Sequence, residues 1–209
     1  MLDVTYHTES TFDSLGKYLV VVAGHGYVKG VSESVVLDLA PYVAMYILAN
    51  DVYTGPINLQ LSNVTLLENI TLEQANQLSA KRITALYNKP GYNKVATILV
   101  GRTCAPITSA FTKISSVIVI NEYVNGLREI ADKFLGQPNS ATVRMSMQST
   151  MQNFTNNFVN TGRIAGGTVS VEPDVTSGSI NAVNVKATIK AFAEIELITL
   201  NVKFEYQVG

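Results

Sequence analysis

One cysteine, two histidines and a charged content of 15% are what this 209-residue chain has little of. Cys104 stands alone, which excludes an intramolecular disulfide and makes a reducing compartment the simpler reading. With only His7 and His25 available, and no HExxH, GxSxG or Walker loop, the recognisable signatures of metal, acyl-transfer and nucleotide chemistry are missing. No catalytic, cofactor-binding or metal-ligating residue is therefore expected. No apolar run is long enough to cross a bilayer, and Asp3, His7 and Glu9 do not fit a secretion signal. On that basis the Asn-X-Thr sequences at Asn63, Asn69 and Asn153 read as chance. A net charge of -1 with scattered basic residues offers no electrostatic attraction to nucleic acid or to an anionic membrane, and neither is expected as a partner. Low-complexity segments and fixed-period repeats are also missing.

What is present is 47% hydrophobic residues and a positive mean hydropathy, enough for a real core in one domain or two small ones. So neutral a surface, rich in Asn, Thr and Ser, suits one largely covered by other subunits. The strongest pattern lies in residues 118–160. Ile120, Tyr123, Val124, Leu127, Ile130, Ala131 and Phe134 recur at helical spacing, with Glu122, Asn125, Arg128, Glu129 and Asp132 on the other face. Gly136 and Pro138 stop that helix, and Asn139 or Ser140 caps a second one carrying Val143, Met147, Met151, Phe154 and Phe158 and ending at Gly162. Two such helices on a short hinge should pack antiparallel and cover a sheet. Met147 and Met151 fit the core stripe, and Met145 lies off it.

Val183, Val185, Ala187 and Ile189 alternate with polar residues, the pattern of a strand with one dry face. Ile198, Leu200, Val202, Phe204 and Tyr206 do the same, after a parity change near Leu197 that calls for a bulge. A chain finishing in such a strand can pair with its own sheet or with another molecule's edge. Earlier, residues 1–11 place Leu2, Val4 and Tyr6 on alternate positions, either an arm or a frayed start. Residues 18–23 read as a buried strand, broken by Gly24-His25-Gly26. Asp38-Leu39-Ala40-Pro41 opens a helix, residues 50–63 read as loop, and Thr71 with Gln74 forms a capping box for a helix reaching about Ala80. Residues 83–87 and 95–100 form a hairpin around a turn-rich connector. The small-residue stretch 101–112 is a candidate boundary, giving an N-terminal arm and first strand (1–26), an α/β region (27–112) and a C-terminal domain with its arm (113–209).

Residues with chemical potential read mostly as structural. His25 between glycines is an ordinary loop histidine, Cys104 a small buried thiol, and Glu68, Glu73, Glu129 and Asp132 solvated charge. The rival from another class is a small α/β enzyme with a cleft near His25 and Arg102, which requires His25 to gather acidic partners.

Leu39-Ala40-Pro41-Tyr42-Val43-Ala44, Gly55-Pro56-Ile57-Asn58, the run from Leu72 through Gln77-Leu78 to Ile83, Val100-Gly101-Arg102-Thr103, Phe134-Leu135-Gly136-Gln137-Pro138-Asn139 and Gly162-Arg163-Ile164 occur in an order and spacing that resembles the sheath proteins of contractile phage tails and related injection machines. The resemblance covers roughly Tyr27 to Gly209 and implies an α/β (α+β) fold: a small mixed sheet flanked by helices, a C-terminal antiparallel helix pair, and terminal arms exchanged as strands between subunits. It implies a non-enzymatic subunit without cofactors, polymerising with copies of itself in a helix around a tail tube, meeting baseplate and tail terminator, and residing in a virion tail assembled in the host cytoplasm. Leu200, Val202, Phe204 and Tyr206, with Val4 and Tyr6, are the expected strand-exchange residues. The polar face of Glu122, Arg128, Glu129, Asp132 and Lys133 is the expected tube-facing surface. Family members usually carry a longer N-terminal portion, and little precedes Tyr27 here, which leaves a pared-down sheath or a partial chain open. Another tail protein, tube or terminator, is the second rival; a tube subunit should be dominated by strands.

Overall fold

The computed structural model describes residues 15–50, 55–89, 95–173 and 182–192. Within them the chain runs β1 (Val22–Ala23), β2 (His25–Val28), β3 (Ser32–Asp38), α1 (Ala40–Ala49), β4 (Leu59–Leu66), α2 (Leu72–Ala80), β5 (Thr84–Asn88), β6 (Val95–Ile98), α3 (Ile114–Asp132), α4 (Ala141–Asn160), β7 (Gly166–Pro173) and β8 (Val183–Lys190). The fold is mixed α and β. Six strands form one sheet in the order β1-β5-β6-β4-β2-β3, parallel only between β1 and β5, and β7 pairs with β8 in a second, antiparallel sheet.

Strand β5 explains the layering of the larger sheet. Its residues 84–87 are all buried, as in a strand covered on both faces. Leu86 joins a core with Leu39, Val43, Leu61, Val64 and Ile98, so α1 covers that side. Ala85 and Tyr87 point the opposite way and pack with Ala75 of α2. The α2 start is the expected capping box: Thr71 Oγ1 accepts from Gln74 N–H at 3.3 Å and Gln74 Oε1 accepts from Thr71 N–H at 3.0 Å. At α1, Asp38 Oδ1 accepts from Ala40 N–H at 2.9 Å, and Pro41 occupies the first turn, where its missing donor costs nothing.

Two expectations about this half need correction. Residues 59–66, read largely as loop, form β4 in the interior of the sheet between β2 and β6. A register shift between Leu61 and Thr65 moves the inward positions from Leu59 and Leu61 to Val64 and Leu66, which erased the regular alternation. The strand does break at Gly24, as expected, with β1 ending at Ala23 and β2 beginning at His25; Gly26 is required in β2, since a side chain would collide with the Thr65 carbonyl of β4. Residues 18–23 are not one buried strand. Only Val22–Ala23 pair, at the sheet's edge, while Tyr18, Leu19 and Val21 are exposed.

The connector to the helix pair is held by hydroxyls. Thr84 Oγ1 accepts from Arg102 N–H at 2.9 Å and donates to the Arg102 carbonyl at 3.0 Å, and Thr112 Oγ1 donates to the Pro106 carbonyl at 3.0 Å. Helix α3 starts at Ile114, one turn earlier than its apolar pattern suggested, with Ile114 and Val117 buried. Gly136, at φ 83°, sits in the left-handed turn expected after it, and Gly162 closes α4 with φ 71°. Of the two possible caps, Ser140 is the one used, its Oγ accepting from Val143 N–H at 3.3 Å.

Candidate assembly surfaces

Helices α3 and α4 run antiparallel: Tyr123 bonds Thr155, while Ile130 and Ala131, further along α3, cluster with Met147 and Met151, further back along α4. Phe154 stacks on Tyr123 at 5.8 Å and meets Phe158 at 4.8 Å. A side chain at Gly126 would collide with the Phe154 ring, so that glycine sets the closeness of the two helices. Burial raises the Tyr123 phenol pKa, with the Thr155 hydrogen bond pulling in the other direction.

Val169 and Val171 of β7 and Val183 and Val185 of β8 pack under the pair. The opposite face of the hairpin is wet, and Lys186 reaches Glu172 at 3.1 Å across it. Helix α4 lies tight against β7, where Gly167 leaves room for Thr155. Two glutamines of α4 then reach the strand's backbone. Gln152 Oε1 accepts from Val169 N–H at 3.0 Å, Gln152 Nε2 donates to the Gly167 carbonyl at 3.2 Å, and Gln148 Oε1 accepts from Val171 N–H at 3.4 Å.

The charged face of α3 divides. Arg128, Glu129, Asp132 and Lys133 are exposed, as a contact surface requires. Glu122 is half-buried and accepts from Arg163 at 2.7 Å, and that guanidinium also lies 4.9 Å over the Phe158 ring. Glu122 thus pins the chain leaving α4. Met147 and Met151 are buried and Met145 is 71% exposed, as their helical positions require. The expected exchange residues Leu200, Val202, Phe204, Tyr206, Val4 and Tyr6 lie outside the described residues.

His25 and Arg102 do not share a cleft. Arg102 lines a shallow hollow of about 300 Å³ with Asn58, Ser79, Leu99 and Ile107, and His25 is not in its wall. Asp38 stands opposite His25 in the β2–β3 ladder, but one of its carboxylate oxygens is taken by Ala40 N–H. Cys104 is half-buried rather than buried. Among the described residues no three His, Cys, Asp or Glu side chains gather in a metal-binding group, and no helix is long and apolar enough to cross a membrane.

Gln148 and Gln152 escaped the sequence reading, and Arg163 entered it only as part of a short motif, without its partner Glu122. A glutamine on a helix surface carries no mark of a backbone partner, and β7 itself, opening on Gly166-Gly167, has little strand character.

No protein-family model matches the sequence, and neither does any curated protein. Solved structures do match. The chain superposes with TM-score 0.76 and 16% identity on a chain of the contracted sheath complex of an extracellular contractile injection system (PVC), over 90% of its own length and 56% of that chain's. Against the contracted helical sheath of the anti-feeding prophage the TM-score is 0.76 at 15% identity, over 95% and 59%. This chain has the fold of contractile sheath proteins. The sheath tail protein of Desulfitobacterium hafniense shares the sheath fold with TM-score 0.64 and 14% identity, over 84% of this chain and 46% of that one. The chain spans about half the length of these sheath-fold neighbours.

Proposed function

We propose that this chain is a structural, non-enzymatic subunit of a contractile sheath. Copies polymerise helically around a tail tube in an extended, metastable lattice, and a baseplate signal lets them relax into a wider, shorter one that drives the tube through the host envelope. The observation that carries this reading is the superposition on two contracted sheaths over 90% and 95% of the chain. Energy stored in inter-subunit packing at assembly needs no nucleotide site. The partners are further copies of the chain, the tube, the baseplate and the tail terminator, in a virion tail assembled in the host cytoplasm.

Within this reading the chain divides near residue 112 into an α/β unit and a C-terminal unit. Separate hydrophobic clusters, one set drawn from residues before 100 and the other from residues after 118, support the division. The arms carrying Val4 and Tyr6 and Leu200, Val202, Phe204 and Tyr206 add strands to neighbouring copies. Such tethers keep several backbone hydrogen bonds while subunits rotate relative to one another. Arg128, Glu129, Asp132 and Lys133 face the tube, and a wet, charged contact there breaks at low cost when the sheath slides. Glu122 belongs to this surface only through its ion pair with Arg163.

Negative-stain microscopy of the purified chain, alone and with its tube, tests the reading. Hollow cylinders or sheathed tubes are expected. Deleting residues 200–209 should leave a folded monomer that cannot polymerise. Persistent monomer from the full chain with tube present would overturn the proposal.

A further inference from the structure

Basic residues gather around the connector that follows β6. Lys17, Lys81, Arg82, Arg102 and Lys113 are five of the chain's 15 Lys and Arg, and the stretches that carry them, 15–23, 78–84 and 101–114, contain no Asp or Glu. The fold brings the three stretches together. Arg82 Nη1 donates to the Cys104 carbonyl at 3.0 Å, Arg102 Nε donates to Ser79 Oγ at 3.3 Å, and Arg102 pairs with Lys113 in an isolated antiparallel bridge. Gly16 lies so close to the Cys104 carbonyl that a side chain there would collide with it.

Lys17 is the member that most needs an opposite charge. It is 5% exposed, with its Nζ 5.0 Å from the Tyr18 ring and 4.8 Å from that of Phe111. Ring faces supply part of the compensation for an ammonium this far out of water, and a carboxylate best supplies the rest. The three stretches have none to give. Beside it runs an apolar strip: Leu15, Tyr18, Leu19 and Val21 are exposed, fixed to the connector where Cys104 N–H donates to the Leu19 carbonyl at 2.9 Å. An exposed apolar strip rimmed by charge of one sign is the kind of surface that binds a segment.

We infer that this surface receives the chain's own residues 1–13 before assembly. The chemistry matches: those residues carry Asp3, Glu9 and Asp13 and no Lys or Arg, with Leu2, Val4, Tyr6 and Phe12 as apolar partners for the strip. The position matches as well, because the segment joins the fold at Leu15, inside the cluster, where Tyr18 N–H to the Leu15 carbonyl at 3.1 Å and Leu19 N–H to the Gly16 carbonyl at 3.2 Å bend the chain. Residues 9–14 can span about 20 Å, which puts Glu9 and Asp13 within reach of Lys81 and Arg82. Covalent attachment gives the chain's own segment a millimolar-range advantage over any other acidic segment. Held there, Val4 and Tyr6 are withheld from neighbouring copies, and the contact is a brake that polymerisation must release. The brake rests on the sheath reading, whereas the contact itself does not.

Spin labelling of the full chain tests the contact, with Cys104→Ser in every protein and the label on Thr8→Cys, at concentrations where the chain is monomeric. At about 0.05 M salt the spectrum should contain a slow component, and about 1 M salt, where the screening length falls to about 3 Å, should remove it. Glu9→Lys with Asp13→Lys should remove it at low salt, Lys81→Glu with Arg82→Glu should do the same, and all four together should restore it. Should the Lys81 and Arg82 pair unfold the chain, the Glu9 and Asp13 pair decides alone. A label that is fast at every salt concentration, or a slow component indifferent to salt and to the charge reversals, refutes the contact. A slow component that grows with protein concentration assigns the segment to a second copy and refutes it too. Added tube tests the brake: sheathed tubes should form several-fold faster in the microscope from the Glu9→Lys, Asp13→Lys chain. Equal rates overturn the brake alone, and no sheathed tubes from any chain, with the label responding as expected, overturns the sheath reading and leaves the contact standing.

Discussion

Removing the Tyr123 hydroxyl should cost less than removing its partner's, although both belong to one hydrogen bond. Tyr123 is 2% exposed and Thr155 fully buried, with their oxygens 2.8 Å apart between α3 and α4. The single proton on Thr155 Oγ1 goes to the Met151 carbonyl at 2.9 Å, so Tyr123 must be the donor. Tyr123→Phe leaves Thr155 bonded to Met151 and should cost about 1 kcal/mol, the net worth of one hydrogen bond. Thr155→Val keeps the shape but leaves a buried phenol with no acceptor, and should cost about 1–3 kcal/mol. The double variant has no orphaned group, so its loss should fall short of the summed single losses by about 1 kcal/mol. Urea unfolding of the four proteins, with m unchanged, supplies the cycle. Single losses that add to within about 0.5 kcal/mol would refute the coupling, and a Tyr123→Phe loss as large as that of Thr155→Val would refute the assignment of donor and acceptor.

The same tyrosine predicts an alkaline limit. Burial raises the pKa of Tyr123 and of Tyr87 above the ordinary 10.0, so the folded state holds their protons where the unfolded chain releases them. Their contribution is complete below pH 10.0 and is lost as pH rises through the raised folded values. Stability should fall by up to about 1.4 kcal/mol per pH unit for each phenol there, and Tyr123→Phe with Tyr87→Phe should flatten that limb in pH-dependent unfolding. Gly126→Ala gains about 1 kcal/mol of helix propensity but drives a methyl into the Phe154 ring at a cost of about 1–3 kcal/mol. Its melting temperature should drop and recover when Phe154→Leu is added; a rise from Gly126→Ala alone would contradict the contact. Arg128→Glu with Lys133→Glu should weaken assembly on tubes without lowering the melting temperature, and undiminished decoration of tubes in the microscope would remove this face from the tube contact.

Elements whose cause is local were legible in the residues. The capping box at Thr71, the proline entry to α1, the glycine stops at Gly136 and Gly162 and the even alternation of β8 depend on neighbours a few positions away, and all stand where they were read. The core stripe of α4, with Met147 and Met151 in and Met145 out, followed from helical geometry alone. The order and spacing of short motifs, also legible in the sequence, carried the resemblance to sheath proteins.

Tertiary structure decided whatever depends on a partner distant in the chain. Strand β4 hides because its inward parity switches at the Leu61–Thr65 register shift, which exists only against β6. Gly26 reads as a break until β4 lies beside it, and Glu122 reads as solvated charge until Arg163 arrives from beyond α4. The same holds for the hairpin's β7 edge. It is closed by Gln148 and Gln152 reaching Val171 and Val169, across 23 and 17 positions of chain, and no local pattern marks a glutamine for a backbone so far away.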